Sequence, residues 1–456
     1  MLFLIHILIS ISYLFVTYHF SKFIFRTWLN LWFIYSIWWL FNLTFVIYNP
    51  FNFYPISTES LALFYSPLVL IIIGFSCTVF IAEKKIRFKR INIDITALAR
   101  SSNIIRVIIY SNLSFSCLII TLSLLDAYRL GIDIQELRNT IYFAPNLVNP
   151  IFERISAIIW FGEGINLYTV FYCYYYFLFS KNIEHELNLA LSSITLILYT
   201  LSLGGRGAFV TLIFIFLSSF IITKPIYDYN DTFKETIQNR KIFKKVSFSL
   251  IIFALLLVVV TVLRSLGNEG FPNPFTLVID YYIKYFTGPF FAYDQFISTN
   301  SVELFQLDRF GVSLLGFDTI ITSGLLRFLG LSQFLGLNEI QSLLSQSSYL
   351  MHGGIQISND YRTNAFYTIF FTPYLDGGYL YIIIFLLFLG IIYGNIYRKA
   401  ISNLSMHNFS FLMMSHIFAI DSVRTNSFQS PSFAICITIL LATKLSTKFR
   451  IKSKSR

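Results

Sequence analysis

Apolar residues gather along this chain in long runs, parted by short polar or basic stretches. The runs reach the roughly 17–25 residues that a helix needs to cross a hydrocarbon core of about 30 Å. Strong alternation at period two is missing, which disfavours a β-barrel. The pattern predicts eleven spans, near residues 2–20, 27–48, 60–82, 104–125, 155–178, 187–203, 207–223, 246–263, 377–397, 409–421 and 430–444. The expected fold is therefore all-α, a polytopic transmembrane helical bundle. It divides into eight spans over 1–263, a large loop over 264–376, three spans over 377–444 and a basic tail over 445–456.

Two segments of the large loop are too charged for spans and too apolar for free loop. One is 275–297, where Asp280 and Lys284 are spaced to pair at i,i+4 and Gly288-Pro289 should break the helix. The other is 311–331, with Asp318 and Arg327. Both read as amphipathic helices lying on a membrane surface, or as re-entrant hairpins. The loop ends in the polar, aromatic stretch NAFYTIFFTPYLDGGY, which runs without a linker into the ninth span.

Composition agrees with the pattern: 56% of residues are hydrophobic, 12% are charged, and mean hydropathy is +0.67. Charge then sets direction. One set of connections carries 23 Lys and Arg residues, and the opposite short connections carry five, namely Arg129, Arg138, Arg154, Arg206 and Arg424. The positive-inside bias places the first set in the cytoplasm, with the N-terminus outside, the C-terminus inside and the 264–376 loop outside. The net charge of +11 thus marks topology, and KKIRFKR and KFRIKSKSR suit anionic lipid better than nucleic acid. The first span has no basic flank and no cleavage site, so it is expected to be retained.

Much chemistry is excluded. There is no phosphate loop, no HExxH, no paired Cys-x-x-Cys and no Asp-x-Asp. The four cysteines are scattered within spans and give neither a disulfide framework nor a metal site. No cofactor motif is present. No internal repeat of the kind that marks many transporters is visible.

The candidate chemistry lies on the outer side. Arg206, Arg264, Arg362 and Arg424 face outward, where the charge bias gives them nothing. An unpaired guanidinium near lipid costs roughly 2.5–3.5 kcal/mol at mid-membrane, and its planar fork suits phosphate. Gly205 and Gly207 flank Arg206, so backbone N–H groups opening the seventh helix make an anion site. The plainer reading of Arg206 is a tight hairpin whose side chain caps a helix or binds headgroups. Asp376 is either the N-cap of the ninth helix or a carboxylate that takes a proton from a hydroxyl. His352, the only outer-loop histidine, is the alternative base or a solvated residue. Glu163, between Gly162 and Gly164, should face the bundle interior and pair with an arginine. The tyrosines, 29 in all, include the run YCYYYF at 172–177 and the outer Tyr361, Tyr367 and Tyr374. Interface belts are their default explanation; stacking on sugar rings is the other.

These residues carry a resemblance. The many-span layout, Gly204-Gly-Arg-Gly207, Asn364-Ala-Phe-Tyr-Thr, Tyr374-Leu-Asp-Gly-Gly-Tyr and the span closing on Tyr393-Gly394 resemble the bacterial Wzy-type polymerases of oligosaccharide repeat units. Family members often carry Asp-Phe-Gly where this chain has Asp376-Gly377-Gly378. The resemblance implies an architecture similar to class C membrane glycosyltransferases and a place in the bacterial plasma membrane. It implies polyprenyl-diphosphate-linked oligosaccharides as substrates for O-antigen or capsule, with a flippase and a chain-length regulator as partners. Diphosphates would meet the four arginines without a metal, and a carboxylate would activate the acceptor hydroxyl. The alternatives are an O-antigen ligase-type transferase and a lipid-linked oligosaccharide flippase.

Overall fold

A computed structural model describes residues 2–25, 30–80, 96–132, 159–179, 183–202, 207–229, 274–298, 355–359, 361–363, 368–402 and 404–454. It also describes short pieces of 247–259 and the single residues Leu137, Asn149, Ser313 and Phe317. The described chain is nearly all helical. In order the helices are α1 (Leu2–Phe25), α2 (Leu31–Tyr48), α3 (Thr58–Phe80), α4 (Thr96–Leu130), α5 (Ile159–Phe179) and α6 (Ile183–Ser202). They continue as α7 (Gly207–Tyr229), α8 (Pro274–Ser298), α9 (Phe371–Ser402), α10 (Met406–Asp421) and α11 (Pro431–Lys454). A pair of two-residue strands, β1 (Ile355–Gln356) and β2 (Arg362–Thr363), is antiparallel, with Ile355 opposite Thr363.

Five stretches are long and apolar enough to cross a membrane by length and composition: Leu2–Lys22, Leu31–Tyr48, Thr58–Thr78, Asn103–Leu130 and Phe371–Ala400. Apolar side chains such as Leu4, Leu8, Ile104, Val107, Leu380 and Phe388 stand out from them, each more than half exposed, as a lipid-facing surface does. Eleven spans were expected, and the other predicted segments inside the described residues are helices too. Of the 246–263 segment, residues 247–252, 254–256 and 258–259 are described and helical, and the rest lies outside the described residues. α5 shows why such helices need not be apolar all round. From Asn166 to Phe179 every residue is buried, so protein rather than lipid surrounds it. The YCYYYF run is therefore core and not an interface belt. The Tyr174 hydroxyl meets Ser219 of α7 at 2.5 Å, and the Tyr175 hydroxyl donates to the Leu404 carbonyl at 3.0 Å.

Helix ends are closed by side chains, as they must be where water is scarce. Asn30 accepts from the Phe33 N–H at 3.0 Å, Ser405 from the Asn408 N–H at 3.3 Å, and Asn49 ends α2 with a left-handed φ of 46°. The closest helix pair is α3 with α9. A Cβ on Gly74 would sit 2.3 Å from the Leu387 carbonyl oxygen, and one on Gly390 would sit 2.2 Å from that of Ile71. Small residues bring the two backbones together, which is how helices gain packing where lipid removes the hydrophobic drive. Because 71, 74 and 78 face 387, 390 and 394, the two helices run parallel.

Candidate functional site

The connections at one end of the bundle form a roof, and α8 is its main beam. The expected break at Gly288-Pro289 does not occur: the helix continues through Pro289 to Ser298. An interior proline costs about 3 kcal/mol. Here burial offsets it, since Thr287, Phe290, Phe291, Ala292, Tyr293, Asp294 and Phe296 are all enclosed. Phe290 packs edge-on against Trp39 and Phe64, and Phe291 against Phe53, so α8 is held inside the roof and does not lie flat on a surface. Asp294 Oδ1 ties it to α3 by accepting from the Ser57 N–H at 3.1 Å and its hydroxyl at 2.6 Å. Lys284 lies 4.7 Å from the Phe51 ring centroid and 5.3 Å from that of Tyr361. The Asp280 side chain lies outside the described residues, as does almost all of 311–331.

Below α8, α9 opens with a joint. Its first turns, from Phe371 to Asp376, are separated from the body of the helix by non-helical backbone at Gly377 (φ 175°, ψ 33°) and Gly378 (φ 64°, ψ −154°). The second of these conformations is one that glycine alone adopts readily. Asp376 therefore ends a short helical piece. It is 6% exposed, and its Oδ2 accepts from the Ser313 backbone N–H at 2.9 Å. Ser313 in turn gives its carbonyl to Asn426 Nδ2 at 2.9 Å, and the same amide donates to Thr372 Oγ1 at 3.0 Å. One hydrogen-bonded chain thus joins the start of α9, Ser313 and the α10–α11 turn.

Arg424 sits in that turn. Its Nε donates to Asp421 Oδ1 at 2.9 Å and its Nη2 to Oδ2 at 3.0 Å, while Nη1 donates to the Tyr285 hydroxyl of α8. The guanidinium carbon is 5.2 Å from the Tyr285 ring centroid, and Ser427 Oγ donates to Asp421 Oδ2 at 3.2 Å. Burial alone would lower the guanidinium pKa, but Asp421 and then Tyr285 outweigh it and the pKa is raised. The cation is fixed in charge and in direction. Backbone bonds lock the turn to the segment before α9: the Thr368 N–H donates to the Arg424 carbonyl at 3.0 Å, and that of Ile369 to Ser422 at 2.9 Å.

Of the residues singled out by sequence, Asp376, Tyr374 and Arg424 are brought to this one region. Gly207 opens α7 and Arg362 lies in β2, but nothing is described of their side chains. Gly205, Arg206, Arg264 and His352 lie outside the described residues. Glu163 is not paired with an arginine among the described residues; Ser432 of α11 donates to its Oε2 at 2.6 Å. The reason is steric. Gly162 and Gly164 press α5 so closely against Tyr199 and the Ser432 backbone that a small hydroxyl is the partner that fits.

The sequence reading missed Asp421, Asn426, Ser313 and Tyr285. Only Asp421 left a local signal, an acid three residues before Arg424. Among the described residues no group of His, Cys, Asp and Glu is placed to hold a metal ion. No protein-family model matches the chain, and neither the curated proteins nor the solved structures contain a match.

Proposed function

We propose that the chain is a membrane glycosyltransferase of the Wzy type, an eleven-span bundle of the class C kind in the bacterial plasma membrane. It joins polyprenyl-diphosphate-linked oligosaccharide repeat units at the outer face. The carrying observation is the buried polar chain Asp376–Ser313–Asn426 beside the Asp421–Arg424 pair, gathered at the end that the charge bias assigns to the outside. Buried polar groups at a membrane edge are costly, and substrate chemistry is a reason to keep them.

In this reading the acceptor hydroxyl loses its proton to Asp376, which Ser313 orients, and attacks the anomeric carbon of the donor. The bond to the lipid diphosphate breaks, and the diphosphate leaves with the electron pair. Asp421 already neutralises much of Arg424, so the departing charge falls first to Arg206, Arg264 and Arg362. A flippase is disfavoured because it needs a polar path between the leaflets. Around α5 that path is filled by Tyr174, Phe177 and Phe216, with Phe409 of α10 against them.

Deletion of the gene tests the reading. Surface glycan reduced to a single repeat unit supports the polymerase. Carrier-linked polymer that never reaches the surface lipid identifies a ligase, and unaltered glycan ends the proposal. Orientation is tested by single cysteines at Asn239 and Asn359 in a cysteine-free variant, which should label from opposite sides.

A further inference from the structure

Tyr293 is an oddity of the roof. It is 0% exposed, and its hydroxyl has no hydrogen-bond partner among the described residues. Leaving such a group unsatisfied is costly, because it has lost its water and gained no partner. Burial, then the neighbouring Tyr379, Tyr374 and Asp294, raise its pKa, so it stays a neutral O–H donor. Phe370 and Phe64 stand against its ring at 5.7 Å and 6.1 Å, and on another side two tyrosines lead from it to the surface. The Tyr374 ring stands edge-on to it at 6.2 Å, and the Tyr379 ring stands edge-on to Tyr374 at 5.2 Å. Tyr379 is 42% exposed. Asp294 spends Oδ1 on Ser57, while Oδ2 has no partner among the described residues. Glu59, exposed at the start of α3, acts electrostatically on Tyr379 together with Asp294.

Two carboxylates beside a tyrosine do not suit an aromatic belt set against lipid tails. They do suit a sugar, whose C–H faces stack on rings while its hydroxyls donate to carboxylates. We infer that Tyr293, Tyr374 and Tyr379, with Asp294 and Glu59, form a carbohydrate-binding site beside the α9 joint. The Tyr293 hydroxyl is fully enclosed as the roof stands, so a sugar seated on Tyr374 and Tyr379 supplies the missing acceptor once the enclosing rings shift. Tyr374 and Tyr379 lie within three residues of Asp376 along α9, and with two carboxylates beside them the site holds the repeat unit and not the lipid diphosphate. This inference rests on the polymerase reading.

Tyr293→Phe is the decisive variant, because its two effects have opposite signs. Removing an unpartnered hydroxyl leaves the melting temperature of the purified full-length protein in nanodiscs unchanged or higher. The same variant binds the repeat-unit oligosaccharide, released by mild acid from the carrier lipid of the deletion strain, about tenfold more weakly. Tyr379→Ala and Glu59→Gln weaken binding similarly, whereas Tyr128→Ala, at an 89% exposed tyrosine of α4, does not. Parent-like binding by Tyr293→Phe and Tyr379→Ala overturns the site, as does an equal loss in Tyr128→Ala or no binding by the parent. The polymerase reading fails separately, if the deletion strain still makes full-length polymer.

Discussion

The α3–α9 seam and the roof around Asp376 are built from the same helix in different ways. In the seam, backbone meets backbone across Gly74 and Gly390, and no side chain could be enlarged without moving a helix. In the roof, Asp376, Asn426, Asp421 and Arg424 meet through directional bonds between side chains and loop backbone. The seam is specified by what is missing from it, the roof by what is present. A change in the seam should therefore remove the protein, and a change in the roof should leave the protein and remove its work.

The harshest test is Gly390→Leu. A Cβ at 2.2 Å from the Ile71 carbonyl forces the helices apart. Overpacking costs about 1–3 kcal/mol where side chains can adjust; backbone cannot, so folded protein should vanish from the membrane fraction. Asp376→Asn comes next. The amide oxygen still accepts from Ser313 but takes no proton, so under the proposed polymerase reading turnover of carrier-linked repeat units in vitro should fall by about 10²–10⁴-fold with normal abundance. If it instead depletes folded protein as Gly390→Leu does, the division between seam and roof collapses. If it stays active, Asp376 is a structural anchor.

Arg424→Lys is milder. It keeps the charge but gives up the fork to Asp421 and the bond to Tyr285, which should lower stability by about 1.5–3 kcal/mol in thermal unfolding. Lys284→Met, at the rim of the roof, removes a cation held over Phe51 and Tyr361 and should cost only about 0.5–1 kcal/mol. A larger loss would make that rim part of the roof's core.

Helices were legible because apolar length is a local property: α2, α3 and α9 fall close to where the runs place them. What the sequence hid was surroundings. Pro289 looks like a breaker until Phe290 and Phe291 are seen to be enclosed, and YCYYYF looks like a belt until α5 is seen at the centre. At the site, Asp376 stood out as an acid beside a long apolar run. Its partners did not, since Ser313 is 63 residues away and Asn426 lies 113 residues beyond Ser313. Backbone donors and amides carry no pattern that announces such a pairing.

Gly378 has a mechanical meaning. Below it, α9 is bolted to α3 through Gly74 and Gly390. Above it, the turn ending at Asp376 is tied to Ser313 and, through Asn426, to the α10–α11 turn. A backbone at φ 64° and ψ −154°, with nothing within 4 Å of where a Cβ would stand, is a conformation that glycine alone adopts readily, so the change of direction there costs little. The opening turns of α9 can thus hold the direction set by Ser313 and Asn426 while the rest of the helix holds the direction set by α3.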